Sequence, residues 1–222
     1  MCKNRSPVIV FMPNREMDIR NSITVLKPNH SQEVSVLHAD LIPGLLQELG
    51  YPMIHLFYET ALKSEHNFGF VDFRENKIAG FVFGTTAIST LYKDVALRRA
   101  FPIVYQMFRL IFKKPQKIGL LLKVIFYRTY RHQTGCESEL VFLAVNPPYQ
   151  KLGIGKKLMT HFHDYLIQKG ISRYEASVEI ENESTQKFNE KLGMQLEYVY
   201  TEFGIKRLRY SFDLSTCQNH SR

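Results

Sequence analysis

The hydrophobic positions in the first third of the chain change between strand and helix periods. A β-branched run over residues 23–26 predicts a strand. From residue 31 to 62 the apolar positions recur every three or four residues, which predicts two helices separated by Gly50-Tyr51-Pro52. Two apolar runs, 68–73 and 78–84, flank a polar turn and predict a β-hairpin.

The last third of the chain predicts further strands and helices in alternation. Residues 140–145 are a dense apolar run typical of a buried strand, and a helical period begins at Ile154. Over 174–180 apolar and polar residues alternate, which predicts one buried and one polar face. A short helix over 184–192 and two alternating runs follow. This order predicts an α/β fold of the α+β kind, a mixed sheet of six to seven strands flanked by helices.

The length of 222 residues suits one large domain or two small ones. We expect a poorly ordered arm over 1–20, where charges follow no period, then a single domain over 21–214 and a tail over 215–222. Within the domain, residues 88–133 predict a helical insertion before the strand at 140–145. With 45% hydrophobic residues, the composition excludes a disordered or collagen-like chain.

The cysteines and the short apolar runs bear on the cellular compartment. Cys2, Cys136 and Cys217 are odd in number and far apart, which favours reduced thiols over a disulfide framework or a CxxC site. No uncharged apolar stretch approaches the ~18 residues of a membrane span. The apolar run at 8–12 is shorter than the ~7–15 residues of a signal-peptide core. We therefore expect a cytoplasmic protein, with peripheral attachment to a membrane as an option.

The segment between the strand at 140–145 and the helix at Ile154 predicts an anion-binding loop. Gly153 and Gly155 allow a tight turn, so that the N–H groups of the first helical turn point outward with the positive end of the helix dipole. The loop lacks the GKS or GKT ending of a Walker sequence. A tight turn without a ligand is the alternative.

These residues resemble the GCN5-related N-acetyltransferase (GNAT) superfamily. Gln150-x-x-Gly153-x-Gly155 resembles its Q/R-x-x-G-x-G/A signature. Asn182, Phe188 and Leu192-Gly193-Met194 are similar to its N-x-x-A-x-x-F-Y-x-x-x-G-F stretch. The resemblance covers residues 23–86 and 137–213.

The resemblance implies acetyl-CoA as cosubstrate and no metal. In the family the strand corresponding to 140–145 splays from the strand corresponding to 174–180, and pantetheine fills the gap as an additional strand. The pyrophosphate would bind at the glycine loop, and a backbone N–H near Phe142 or Leu143 would polarise the acetyl carbonyl. The implied cofactor-binding residues are Phe142, Leu143, Ala144, Val145, Gln150, Lys151, Leu152, Gly153, Ile154, Gly155, Lys156 and Asn182.

The resemblance also implies where the catalytic groups lie. An acceptor ammonium must lose a proton before its nitrogen can attack a thioester, and Glu139 stands where many members carry the base. A solvated strand-end carboxylate is the alternative, and Glu137 is close by. Many members have a Tyr that protonates the leaving thiolate, but here that position is Asn189. Tyr198, with Tyr200 as the alternative, would then serve, unless solvent protonates the thiolate or the protein binds CoA without catalysis.

The histidines suggest weaker sites. His161 and His163 are two residues apart on one helix, a spacing at which their side chains do not face each other, so a metal site is not expected. His38 and Asp40 lie in a region that lines the acceptor pocket in the family, and ordinary helix surface is the alternative.

The formal charge of +8 is concentrated in the insertion. Residues 91–131 contain ten Lys and Arg and one Asp, interspersed with many large apolar residues. Such a composition is typical of a helix at an anionic membrane interface. We nevertheless favour a helical lid that packs on the acceptor side and has a solvated basic face. The alternatives are a holder for an anionic acceptor, and membrane or RNA contact.

The resemblance implies an N-acetyltransferase that acts on a primary amine of a small-molecule acceptor, with an amino sugar or nucleotide-sugar as candidates. The alternatives are an aminoacyl-tRNA acetyltransferase and a non-catalytic CoA-binding or membrane-docking module. Peripheral membrane contact through 91–131 and a homodimer are further expectations about partners, whereas nucleic acid is not expected to bind.

Overall fold

A computed structural model describes residues 23–98, 100–113, 119, 135–202 and 204–215. The strands are β1 (Ile23–Val25), β2 (Asn67–Arg74), β3 (Lys77–Thr85), β4 (Glu139–Val145), β5 (Arg173–Glu179), β6 (Gln195–Glu202) and β7 (Ile205–Asp213). The helices are α1 (Ser31–Leu41), α2 (Leu45–Leu49), α3 (Tyr51–Ala61), α4 (Ile88–Arg98), α5 (Ala100–Lys113), α6 (Ile154–Gln168) and α7 (Glu183–Leu192). Short 3-10 turns occupy Pro28–His30 and Pro147–Tyr149.

The strands form one seven-stranded mixed sheet in the order β1-β2-β3-β4-β5-β7-β6. Neighbours pair antiparallel, except β4 and β5, which are parallel. The hairpin predicted at 68–84 is present as β2 and β3, and its turn places Glu75 and Asn76 at positive φ. The predicted mixed sheet flanked by helices is therefore confirmed.

Helices cover both faces of the sheet and give the domain two hydrophobic cores. On one face α1, α3 and α4 pack on sheet residues that include Phe81 and Phe83. On the other face α6 packs along Phe68, Tyr174 and Tyr210, and α7 adds partly buried residues. This three-layer arrangement is what strands with apolar residues on both faces require.

The alternating strand β5 has a buried polar face, which differs from the simple expectation for 174–180. Tyr174, Ala176 and Val178 are buried as predicted. Glu175, on the opposite face, is only 3% exposed. It is buried because β7 places arginines beside this polar face: Ser177 pairs in register with Arg209, and Glu179 with Arg207.

Several predicted segments extend beyond the described residues. The arm at 1–20, residues 216–222 of the tail and most of the second half of the insertion at 88–133 lie outside them. The first part of the insertion is helical, as α4 and α5. Within the described ranges, no helix combines the length and hydropathy that a membrane crossing needs.

Candidate active site

Strands β4 and β5 run together for a short distance and then diverge. In the described strands, the parallel pairing joins Glu139 to Glu175 and Leu140 to Ala176, although β4 continues to Val145. The outer edges stay paired with β3 and β7 throughout. Each strand therefore turns one row of backbone N–H and C=O groups toward a gap. An extended amide chain such as pantetheine fits these groups as an additional strand.

A bulge in β4 lies at the start of this gap. Phe83 pairs with Phe142 and Gly84 with Leu140, so Val141 is an extra residue on β4. Both Val141 and Phe142 pack toward the core formed with α1, α3 and α4. The bulge thus changes the direction of the β4 backbone near Phe142, which is where the resemblance implies that the acetyl carbonyl binds.

A cavity of about 420 Å³ fills the gap and continues toward the helices before β4. One part of its wall comes from the sheet and α7 and is mostly polar: Glu139, Ser177, Glu179, Asn182, Thr185, Asn189, Tyr200, Glu202, Arg207 and Arg209. The other part comes from α1–α5 and is mostly apolar: His38, Leu41, Ile42, Pro43, Leu45, Leu46, Leu49, Met53, Leu56, Phe57, Val95 and Ile103. Val141, Phe142 and Leu143 lie on β4 beside the gap.

The predicted base, Glu139, forms an ion pair at the polar end of the cavity. Its Oε2 lies 3.2 Å from Nη1 of Arg209, whose Nε lies 3.8 Å from Oε2 of Glu175. Burial acts to lower the pKa of Arg209, but the nearby carboxylates of Glu139 and Glu175 act against it, and the pKa is raised. Arg209 therefore stays charged and fixes the position of Glu139.

Two tyrosines of β6 differ in their access to the cavity. Tyr200 lines it, and its hydroxyl is 2.5 Å from the hydroxyl of Ser177. Tyr198 is not among the described lining residues, and its ring lies 5.9 Å from that of Tyr200. Burial raises the pKa of both phenols. Both therefore keep their protons at neutral pH, and Tyr200 is the one that can present its proton to the cavity.

His38 lies where the two parts of the wall meet. Its Nδ1 is 2.8 Å from the hydroxyl of Tyr58, and its ring contacts Phe142 edge to face at 4.6 Å. Burial lowers the pKa of His38 to about 4, so the ring is neutral at pH 7. Of the two residues expected near the acceptor, His38 lines the cavity, whereas Asp40 is not among the described lining residues.

Helix α7 contributes two asparagines to the cavity. Asn182 is its N-cap, with Oδ1 accepting a hydrogen bond from the backbone N–H of Thr185 at 3.1 Å. Asn189 is 2% exposed, and its Nδ2 has no hydrogen-bond partner among the described residues. Asn182 is thus held by its own helix, while Asn189 brings a buried donor to the gap.

The glycine loop follows β4 and begins α6. Gly153 is its N-cap in the left-handed conformation at φ 78°, and Lys151 also has positive φ. Gln150 donates from Nε2 to the carbonyl of Val145 at 2.9 Å. Residues 150–153 are exposed, so the loop is accessible to a pyrophosphate at the helix N-terminus.

Gly155 has a packing role that the anion-loop hypothesis did not include. A Cβ at this position would lie 3.2 Å from the ring of Phe188 on α7. The glycine therefore lets α6 and α7 approach closely, whether or not a ligand binds.

The structure brings together some of the predicted site residues and separates others. Glu139, Phe142, Leu143 and Asn182 line the cavity, whereas Ala144, Val145 and the loop 150–156 lie further along β4 and beyond it. Glu137 instead accepts a hydrogen bond from the backbone N–H of Ser89 at the start of α4. Sequence reasoning missed Arg207 and Arg209, although their alternation with apolar residues along β7 was a usable signal.

The histidines of α6 serve packing. His163 Nε2 is 2.8 Å from the Tyr174 hydroxyl, and the His163 ring stacks on Phe212. The ring of His161 lies 5.6 Å from that of Phe70. In the described part of the chain, no three His, Cys, Asp or Glu side chains form a group suited to a metal.

Comparison with known proteins agrees with this geometry. The model of the acetyltransferase (GNAT) family matches residues 37–194. Among curated protein sequences no relative is found.

Solved structures with the same fold include several acetyltransferases. The ribosomal-protein-S18-alanine N-acetyltransferase from Escherichia coli has a TM-score of 0.53 and 14% identity, covering 86% of this chain and 92% of that one. NAA60 from Arabidopsis thaliana, in complex with acetyl-CoA, has a TM-score of 0.54 and 11% identity, covering 87% and 98%. A GNAT acetyltransferase from Streptococcus pneumoniae has a TM-score of 0.51 and 14% identity, covering 86% and 97%.

At these identities the structural likeness concerns the fold alone, whereas the family model covers more than half of the sequence. The resemblance to the GNAT superfamily and the acetyltransferase activity that it implies are confirmed. The chain therefore belongs to the GNAT family, and it is an acetyl-CoA-dependent acetyltransferase.

Proposed function

We propose that this enzyme transfers the acetyl group of acetyl-CoA to a primary amine of a small molecule. The observation that carries the proposal is the position of Glu139, at the point where β4 and β5 diverge and in the wall of the cavity. A carboxylate there can take a proton from an acceptor ammonium, directly or through water. The domain would span residues 21–214, with 88–133 as its insertion, 1–20 as its arm and 215–222 as its tail.

The open backbone edges of β4 and β5 fit the pantetheine of acetyl-CoA, which supplies an activated thioester when bound. In the gap the pantetheine would contact Phe142, Leu143 and Asn182, and the same backbone edge continues along Ala144 and Val145. The pyrophosphate would be held by the loop that follows, which comprises Gln150, Lys151, Leu152, Gly153, Ile154, Gly155 and Lys156.

The proposed reaction balances with the groups of this cavity. The deprotonated amine nitrogen forms a bond to the acetyl carbonyl carbon, and the carbon–sulfur bond breaks. Glu139 receives the first proton of the ammonium, and Tyr200 gives a proton to the sulfur. The nitrogen loses its second proton as the amide forms, and this proton returns to the Tyr200 phenolate through solvent. Tyr200 is preferred to Tyr198 because it lines the cavity, and Tyr198 remains the alternative donor. The products are the N-acetylated amine and CoA.

Variants of Glu139 and Tyr200 test the proposal. We expect Glu139→Gln to lower kcat about 10²- to 10⁴-fold, as loss of a general base does, while the Kd for acetyl-CoA stays within a factor of two. Tyr200→Phe should lower kcat by less, because a thiolate leaves readily without help. The measurements are CoA release with an amine panel and calorimetric titration with acetyl-CoA. A Glu139→Gln enzyme with unchanged kcat would contradict the role of Glu139 as base.

A specific observation also favours peripheral membrane contact. Phe101, Val104, Tyr105 and Phe108 recur at helical spacing on α5, and Phe101 is 82% exposed. The exposed Lys93 and Arg98 precede them, in a segment rich in basic residues. This combination favours an anionic lipid surface as the partner of α5, in addition to the catalytic activity.

A further inference from the structure

The apolar part of the cavity wall is formed by five helices before β4. On the described parts of α1–α5 and the loop between α1 and α2, every side chain that lines the cavity is apolar except that of His38. The Nδ1 of His38 is already bonded to the Tyr58 hydroxyl at 2.8 Å. We call this part the apolar chamber, and Leu41, Leu46, Leu49, Met53, Phe57 and Ile103 represent it.

The cations in the cavity wall are already engaged. Arg207 lies 2.9 Å from Glu179 and 3.2 Å from Glu202. Arg209 lies between Glu139 and Glu175. Within the described residues, the wall therefore holds no cation without a carboxylate beside it, and a phosphate or carboxylate on the acceptor would have to compete with these pairs.

We propose that the acceptor is a primary amine with a sizeable apolar group, which the apolar chamber takes up while the amine lies near Glu139. This inference rests on the proposed function and names its substrate class. A hydroxyl-rich amine such as an amino sugar would leave its hydroxyls without partners in the chamber. Each such hydroxyl lowers affinity about 5- to 150-fold. The nucleotide-sugar candidate is therefore disfavoured.

The position of the apolar chamber indicates that its occupant is part of the acceptor and not a long acyl group of the donor. Phe142, Ser177 and Glu179 lie on the two diverging strands, where the proposed function puts the pantetheine of the donor. The chamber is lined by helices instead, and its His38 is in ring contact with Phe142 at 4.6 Å. A donor in the strand gap and an acceptor in the chamber would share one cavity that includes Glu139, as direct transfer between them requires.

A series of amines tests the substrate class by binding. With the CoA-saturated protein, calorimetric titration should show affinity rising about fourfold per methylene from n-butylamine to n-hexylamine. Glucosamine should bind at least tenfold more weakly than n-hexylamine. Leu49→Gln, in the chamber, should weaken n-hexylamine binding at least fivefold. The matched control Val36→Gln, on an α1 residue that is 49% exposed, should leave it unchanged.

Two results would overturn the substrate class. One is affinity that does not rise with amine chain length, or glucosamine that binds as tightly as n-hexylamine. The other is a preference of at least tenfold for hexanoyl-CoA over acetyl-CoA, together with an affinity that is the same for all amines of the series. That result would show that the chamber takes up the acyl group of the donor. Failure of the protein to bind acetyl-CoA, or to acetylate any amine it binds, would instead contradict the proposed function.

A second, independent observation concerns Asn189. Its side chain is buried and lines the cavity, and Nδ2 has no hydrogen-bond partner among the described residues. Its backbone carbonyl accepts from the N–H groups of Gly193 and Met194, so the helix end is satisfied without the side chain. A buried amide donor without a partner is unfavourable unless a ligand supplies the acceptor. We infer that Nδ2 donates a hydrogen bond to the sulfur of CoA.

The bound thiol reports this contact directly. In the CoA complex, thiolate absorbance should titrate at lower pH for the wild type than for Asn189→Leu, by at least half a pH unit, because the amide stabilises the thiolate. Asn189→Leu should weaken CoA binding about fivefold and desulfo-CoA binding less than twofold. Asn189→Asp, of the same size, should weaken CoA binding as well. Equal losses for CoA and desulfo-CoA, or an unchanged thiol titration, would overturn the inference.

Discussion

At the scale of single residues, His38 couples stability to pH. Burial lowers its pKa in the folded protein to about 4, whereas the ordinary value is 6.5. Below about pH 6.5 the unfolded chain therefore binds a proton that the folded chain does not. The contribution of His38 to the free energy of unfolding should fall as the pH drops from 6.5 towards 4, by up to about 3 kcal/mol, and no further below that. His163, whose pKa burial also lowers to about 4, should add a loss of its own over the same range.

Urea denaturation at pH 7.0 and pH 5.0 checks this prediction. His38→Asn, which does not titrate, should lose about 2 kcal/mol less than the wild type between the two pH values. His66→Asn, at an exposed histidine, is the matched control and should follow the wild type. Equal losses for His38→Asn and the wild type would show that His38 is not the group responsible.

At the scale of elements, Gly84 determines how closely β3, β4 and α6 pack. A Cβ at this position would press on the ring of Phe162 and lie 2.8 Å from the backbone oxygen of Glu139. Gly84→Ala should lower the free energy of unfolding by about 1–3 kcal/mol and should also lower acetyl transfer, because Glu139 is displaced.

A double-mutant cycle with Phe162→Leu separates the two contacts. The smaller side chain should relieve the clash with α6, so the double variant should be at least about 1 kcal/mol more stable than the sum of the single losses. In the double variant the rate of acetyl transfer should recover less than the free energy of unfolding does, because the contact between the new Cβ and the Glu139 backbone remains. Strict additivity of the two losses would show that Phe162 does not limit the space at Gly84.

The exposed stripe on α5 gives a second prediction at this scale. The protein should co-sediment with vesicles that contain phosphatidylserine and not with phosphatidylcholine vesicles, and salt should weaken the binding. The double variant Phe101→Ser and Tyr105→Ser should bind the vesicles more weakly. The matched control replaces Leu196 and Val199 on β6, which are 52% and 54% exposed, by Ser. If both double variants lose binding equally, α5 is not the contact.

At the scale of the whole molecule, the gap between β4 and β5 links ligand binding to stability. Acetyl-CoA that fills the gap should stabilise the folded state by about 2.7 kcal/mol at a hundredfold excess over its Kd. For a chain of this size, Tm should rise by about 5–10 °C. Differential scanning fluorimetry measures it, with adenosine 3′,5′-bisphosphate, which lacks pantetheine, as the matched control ligand. If acetyl-CoA and adenosine 3′,5′-bisphosphate raise Tm equally, acetyl-CoA does not bind in the strand gap.

The hydrophobic pattern predicted most elements because burial against a core imposes a period of about two residues on a strand and about 3.6 on a helix. The hairpin at 68–84 is local, and the structure confirms it. The alternation at 174–180 is also local, and its apolar side is confirmed at Tyr174, Ala176 and Val178, whereas Ile180 follows the end of the strand and is exposed. The same reasoning assigned a polar face to β5 and could not show that Glu175 is buried beside Arg209. That contact joins residues far apart in the chain, and no local period encodes it.

By itself, the sequence determined the family, the order of strands and helices, and the glycine loop that follows β4, because each depends on residues close together in the chain. Only the tertiary structure decided which groups meet in the cavity. It paired Glu139 with Arg209 and placed Tyr200 rather than Tyr198 in the cavity wall. It also gave the cavity one mostly polar part and one mostly apolar part. These contacts depend on how β4 diverges from β5 and on how five helices pack across the sheet.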